Sequence, residues 1–313
     1  MMAVTRRTFI KQLSLSVLAV SGTSWMQSCS SANKKPLRFG VISDVHIELQ
    51  DDAVERLQVF IDEASKRELD FIIQLGDFSH GKRAEEMVAV WNKYPGNGYH
   101  VLGNHDLDHT TKAEIVRIQQ MPDTHYTFDA GGVRHVVLDC NFVRKDGTCV
   151  DYAYGNYYVD SNDRDLISDT QLHWLANTLR ETDKPVLIYS HQGIGSAGTP
   201  SREAIRTLLE KHNTDRPDVR VMGCLCGHHH IDKWEEINDI PYYYVNSASY
   251  LWVEGEPKYS KGNMAEYEDA LFAFVTLDID KGKWDIEGVT SKFKQPAPQE
   301  TDTIKASIAS RQV

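Results

Sequence analysis

The feature that most constrains this chain is a recurring pairing of an apolar run with a polar motif at its end. Residues 37–43 lead into Asp44-x-His46, 69–75 into Gly76-Asp77 and 99–102 into Gly103-Asn104-His105-Asp106. Residues 186–190 lead into His191, and 219–226 into Gly227-His228-His229-His230. Short runs of β-branched and aliphatic residues read as buried strands. Between them lie stretches with helical spacing, such as Leu57, Phe60, Ile61 and Ala64 within 51–66. This alternation predicts a largely parallel sheet with covering helices. The motifs would then gather where the strands end.

Further helices are expected over 84–93, over 111–120 with Thr110 or Thr111 as cap, over 169–180 capped by Ser168 or Asp169, and over 202–212. Strands over 126–128 and 133–139 flank a Gly131-Gly132 turn, and hairpin-like strands surround Asp239 and Lys281-Gly282. Residues 140–167, rich in Asp, Asn, Gly and Tyr, show no period and read as an irregular insertion. Residues 37–292 are expected to form one domain, with 293–313 as a polar, peripheral tail.

The first 28 residues are kept out of the fold. Thr5-Arg6-Arg7-Thr8-Phe9-Ile10-Lys11 and the modestly apolar stretch after it resemble a bacterial twin-arginine export signal. The stretch is too short to span a membrane. Cys29 follows in a loose lipoprotein-like box, so lipidation there would anchor the mature chain, with 29–36 as linker. The expected location is exported, either periplasmic or held on a membrane. In that oxidising setting Cys140 and Cys149, which flank a short polar loop, could form a disulfide. Cys224 and Cys226 alternate along one strand and read as small core residues. The net charge of −11 and the lack of a dense Lys/Arg run argue against nucleic-acid binding, which depends on cationic contacts to phosphate. The oligomeric state is not written in the sequence.

The motifs supply three Asp, one Asn and several His, all side chains that bind divalent metals through oxygen or imidazole nitrogen. Each motif alone is common. All five in this order, over about 37–247, resemble the calcineurin-like metallophosphoesterase superfamily. The resemblance implies a four-layer α/β/β/α sandwich and a dinuclear centre. One cation would be held by Asp44, His46 and His230, the other by Asn104, His191 and His228, with Asp77 bridging. The cations would be Mn, Fe, Zn or Co, and a shared hydroxide would attack phosphorus. His105 is expected as general acid or phosphate stabiliser, Asp106 as the carboxylate that orients it, and His80 as a substrate contact. His229 is expected to be structural. The substrate is a small phosphorylated molecule. ADP-ribose or CDP-alcohols, phosphomonoesters and cyclic nucleotides all remain open, and a non-catalytic scaffold is the remote alternative. Tyr152, Tyr154, Tyr157 and Tyr158 in the insertion, and Tyr250 and Trp252 after Asn246-Ser247, could stack on a base or aromatic alcohol or simply pack.

Overall fold

Two six-stranded sheets lie face to face because their strands are apolar on both sides. The computed structural model describes residues 35–313 except 80, 157, 256–258 and 260. The expected export segment 1–28, Cys29 and His80 therefore lie outside the described residues. In the first sheet Leu37–Ile42, Phe71–Gln74 and Gly98–His100 run parallel, and Ala273–Asp278 joins Leu37–Ile42 on its other side, antiparallel. Lys283–Gly288 and Arg311–Gln312 complete that edge. In the second sheet Val133–Val137, Val186–Ser190, Val221–Cys226 and Ile240–Tyr244 run parallel, with Tyr126–Ala130 and Lys233–Ile237 antiparallel at the two edges.

The inner faces interdigitate through Phe39, Phe71 and Val275 from one sheet and Val137, Tyr189 and Tyr243 from the other. Helices Ala53–Ser65 and Ala84–Trp91 cover the outer face of the first sheet through Leu57, Phe60, Met87 and Trp91. Asp169–Glu181 and Arg202–Asp215 cover the second through Leu175, Leu179, Ile205 and Leu209. This is the expected α/β/β/α sandwich. Thr111 and Ser168 cap their helices by accepting from Glu114 N and Gln171 N, each satisfying an otherwise unpaired first-turn donor.

Three expectations need correction. The insertion is not irregular throughout, because Phe142–Lys145 and Thr148–Asp151 form a hairpin. Cys140 and Cys149 are free thiols: Cys140 is buried ahead of the hairpin, while Cys149 pairs across it with Arg144. The segment 293–313 is not peripheral. Ala306 and Ile308 are buried in the core, Ile308 N donates to Val289 O, and Arg311 pairs with Asp232. Alternating small apolar residues there gave too short a signal to read as a strand.

Candidate metal centre

The five motifs meet at one end of the sandwich. Asp44 and Asp77 follow adjacent parallel strands of the first sheet, and Asn104 follows the third. His191 and His228 follow adjacent parallel strands of the second. The loops are stitched together by backbone: Asp44 N donates to Gly76 O at 3.1 Å, His46 N to Asp77 O at 3.0 Å and Gly227 N to His191 O at 3.0 Å. Glycine is needed where backbones meet this closely. A Cβ on Gly103 would lie 2.1 Å from Asp77 N, and one on Gly227 would lie 1.9 Å from Ser43 Oγ.

Asp44, His46, Asp77, His228 and His230 all have φ between 51° and 65°. Non-glycine residues rarely occupy this left-handed region, and each costs of order 1–3 kcal/mol there. Five such residues in one cluster mean that the surrounding fold holds the strain in order to aim these side chains inward. No sequence signal marks this.

The donor atoms converge. Asp44, His46 and His230 form one group whose ligand atoms lie within 4.8 Å of one another; Asp77, His191 and His228 form a second, and His46, Asp77 and His105 a third. Asp77 belongs to the second and third groups, and His46 to the first and third. His191 Nδ1 lies 2.7 Å from Leu75 O and His230 Nδ1 lies 2.9 Å from Tyr250 O. A carbonyl only accepts, so Nδ1 carries the hydrogen and a neutral ring turns its Nε2 lone pair inward. The Nε2 atoms face carboxylate oxygens, His191 Nε2 to Asp77 Oδ2 at 3.1 Å and His230 Nε2 to Asp44 Oδ1 at 3.2 Å. His46 Nε2 also lies 3.1 Å from His230 Nε2, and His228 Nδ1 lies 3.2 Å from His191 Nε2. Asn104 Oδ1 is buried with no hydrogen-bond partner among the described residues. This set of mixed O/N donors could hold divalent cations, and such donors suit Mn, Fe, Zn or Co.

Among themselves the carboxylates and imidazoles compensate one another's charge. Burial alone would raise the Asp44 and Asp77 carboxyls, yet the facing imidazoles hold both below the usual carboxylate range. Burial alone would lower His191, but Asp77 and Asp44 push it up to about 9. His228 is lowered by burial and by neighbouring His191.

His105 is placed differently from the ligands. Its N–H donates to Asp77 Oδ1 at 2.8 Å, and its Nδ1 meets Asp108 Oδ2 at 2.9 Å. Burial disfavours its charge, but Asp77, Asp108 and Glu48 together raise it to about 10. The expectation that Asp106 orients His105 is corrected here. Asp106 Oδ1 accepts from Phe78 N at 3.0 Å and Ser79 N at 2.7 Å, and its Oδ2 accepts from Gly103 N at 2.8 Å. It pins the Asp77 loop to the Asn104 loop. His105–Leu107 is a 3₁₀ turn, whose three-residue period aligns positions i and i+3. Asp108, not the adjacent Asp106, therefore faces His105.

Sequence reasoning also missed Glu48, whose Oε1 lies 2.5 Å from His46 Nδ1, and Asn141, which links the loops of Asn104 and His191. Asn141 Nδ2 donates to Leu102 O at 2.8 Å, and Gln192 Nε2 donates to Asn141 Oδ1 at 2.9 Å. Two residues past a D-x-H motif, or at the start of an insertion, nothing in composition distinguishes them. His229 turns away from the centre, edge-on to Tyr244 at 5.3 Å.

A two-sheet sandwich with a buried cluster of this composition at its strand ends defines a metal-dependent hydrolase. Residues 37–232 match the calcineurin-like phosphoesterase family, and the chain belongs to that family; it is a phosphoester hydrolase. Among solved structures, a dimetal phosphatase from Danio rerio superposes with a TM-score of 0.59 at 18% identity, covering 86% of this chain and 99% of its own. Purple acid phosphatase PPD1 from yellow lupin gives 0.51 at 13% identity over 88% of this chain and 53% of its own. At such identities the likeness concerns the fold alone. No curated protein matches the sequence.

Proposed function

We propose that this chain is a dinuclear hydrolase of small phosphate esters or anhydrides. Asp44, His46 and His230 would hold one cation and Asn104, His191 and His228 the other, with Asp77 shared. Two bound divalent cations would supply a hydroxide nucleophile at neutral pH and offset the charge of the phosphoryl oxygens. The rest falls to the chain itself. Asp108 holds His105 Nδ1, which leaves Nε2 to donate to a phosphoryl oxygen or to pass its proton to the departing oxygen. Asp106 keeps the two loops in register. Leu75 and Tyr250 carbonyls fix the tautomers of His191 and His230.

One observation carries the reading: the inward Nε2 atoms of tautomer-fixed histidines face carboxylates at 3.1 Å and 3.2 Å. A non-catalytic scaffold has no need of that arrangement. Purified protein is expected to hold about two divalent ions per chain. With Mn²⁺ added, it is expected to hydrolyse at least one of p-nitrophenyl phosphate, its bis-ester, ADP-ribose or cyclic nucleotides. Asp77→Asn should lose both ions and reduce turnover beyond the ~100-fold typical of outer positioning residues. Full metal content in that variant would remove the bridging role.

The twin-arginine segment supports export before the mature chain acts, and Cys29 supports a lipid anchor. Fatty-acid labelling that persists in Cys29→Ala would rule the anchor out.

A further inference from the structure

Of the three aromatic side chains most exposed on the described surface, Tyr154, Tyr158 and Trp252, two are anchored to residues of the centre, Trp252 through its ring and Tyr154 through its backbone. Trp252, 49% exposed, lies two residues beyond Tyr250. Tyr250 is fully buried against His46 and His230, at 5.1 Å and 4.6 Å between ring centroids, and its carbonyl accepts from His230 Nδ1. The Trp252 indole stands edge-on to Tyr250 at 5.3 Å and 86°, and lies 6.3 Å from the His230 ring. Its backbone is fixed in an antiparallel pair with Met264. The second ring is Tyr154, 67% exposed, whose N donates to Leu107 O at 2.7 Å and so rests on the turn that carries His105. Tyr154 has φ of 56°, so its placement too is held by its surroundings.

An exposed indole is ordinarily unremarkable on its own. Here the ring is held in place by a buried tyrosine that also packs on two cation ligands, so little conformational freedom is lost when something lies against it. A flat ring gains most from such a surface, because stacking needs a defined plane whereas an alkyl chain does not.

We infer that Trp252, with Tyr154, forms a stacking platform that selects phosphate compounds carrying a flat aromatic group, such as a nucleoside or aryl alcohol. This inference rests on the phosphoester hydrolase reading and narrows its substrate class. Trp252 is a specificity residue and takes no part in bond cleavage.

The test uses Mn²⁺-loaded protein with adenosine monophosphate and inorganic phosphate as calorimetric ligands, and p-nitrophenyl phosphate and glycerol phosphate as kinetic substrates. Wild type should bind adenosine monophosphate more tightly than phosphate. Trp252→Ala should reduce that ratio about tenfold, and the aryl-to-alkyl ratio of kcat/KM by a similar factor, at unchanged metal content. Trp252→Phe should retain most of both preferences, and Tyr154→Ala should lower them by less. Ratios equal in wild type and Trp252→Ala would overturn the platform while leaving hydrolysis in place. A Trp252-dependent preference in binding, with no ester or anhydride cleaved, would keep the platform and reject the hydrolase reading. Loss of metal in both Trp252 variants would show that the indole merely supports the fold, and would also overturn the proposal.

Discussion

Buried histidines in this protein fall into two groups that differ in everything except burial. His135 lies between the sheets, stacked on Phe128 at 4.5 Å and edge-on to Phe71, with Nδ1 against Tyr189 Oη. His191 is equally buried, but it faces Asp77 and Asp44 at the end of the strands. Burial pushes His135 down to about 3, and carboxylates carry His191 up to about 9. The same residue type is a neutral packing element in one place and a charge-compensating partner of carboxylates in the other. What separates them is the company of carboxylates, not depth.

His105 extends the contrast, since it keeps the carboxylates without being a cation ligand in this reading. His105→Ala should retain both cations and lose about 10²–10⁴ in kcat. Metal analysis of the variant checks the first half and steady-state kinetics the second. Lost cations would move His105 into the ligand group. Asp108→Asn should show a weaker form of the same defect, because the ring loses its partner and not its place.

Within the ligand group the supports differ, which gives a finer comparison. His46, proposed for one cation, leans on the Glu48 carboxylate, whereas the Asn104 and His191 loops, proposed for the other, are tied by the neutral amide of Asn141. Asn141 is in turn fixed by Asp139, whose charge is met by buried Lys112 at 2.6 Å. Glu48→Gln should weaken one cation and Asn141→Ala the other, each by about 10–100-fold in affinity. Metal titration with two resolved steps reads this directly. If both variants shift the same step, the two halves do not act separately.

The division between the groups was legible from order in the sequence. Motifs at the ends of apolar runs mark the residues that converge, whereas His100 and His135 follow no such run. The side chains that complete the centre were not legible. Asp106 was paired with His105 because the two are adjacent, and only the 3₁₀ turn shows that Asp108 shares its face. Glu48 and Asn141 reach their partners through loop conformations that periodicity does not encode. The carbonyls of Leu75 and Tyr250 act through backbone, which every residue carries alike. The closing strand near Arg311 is two residues long, below any pattern that repeats.

The interior group yields the smallest effect and the cleanest sign. His100 and His135 are both lowered to about 3 by burial, against about 6.5 in an unfolded chain. Above pH 6.5 both states leave these rings neutral, so they contribute no pH dependence. Below it the unfolded chain takes up protons that the fold refuses, and stability falls by about 1.4 kcal/mol per pH unit for each ring until about pH 3. Between pH 6.5 and 5 the pair should therefore cost roughly 3 kcal/mol. Carboxylates titrate in the same interval, so the useful quantity is a difference between proteins. His135→Gln keeps a polar group near Tyr189 Oη and removes one titrating ring. Urea unfolding of both proteins at pH 6.5 and 5 should show the variant losing less stability, by about half of that amount. Equal losses would mean that His135 accepts its proton in the folded state, and that depth alone does not keep the interior group neutral.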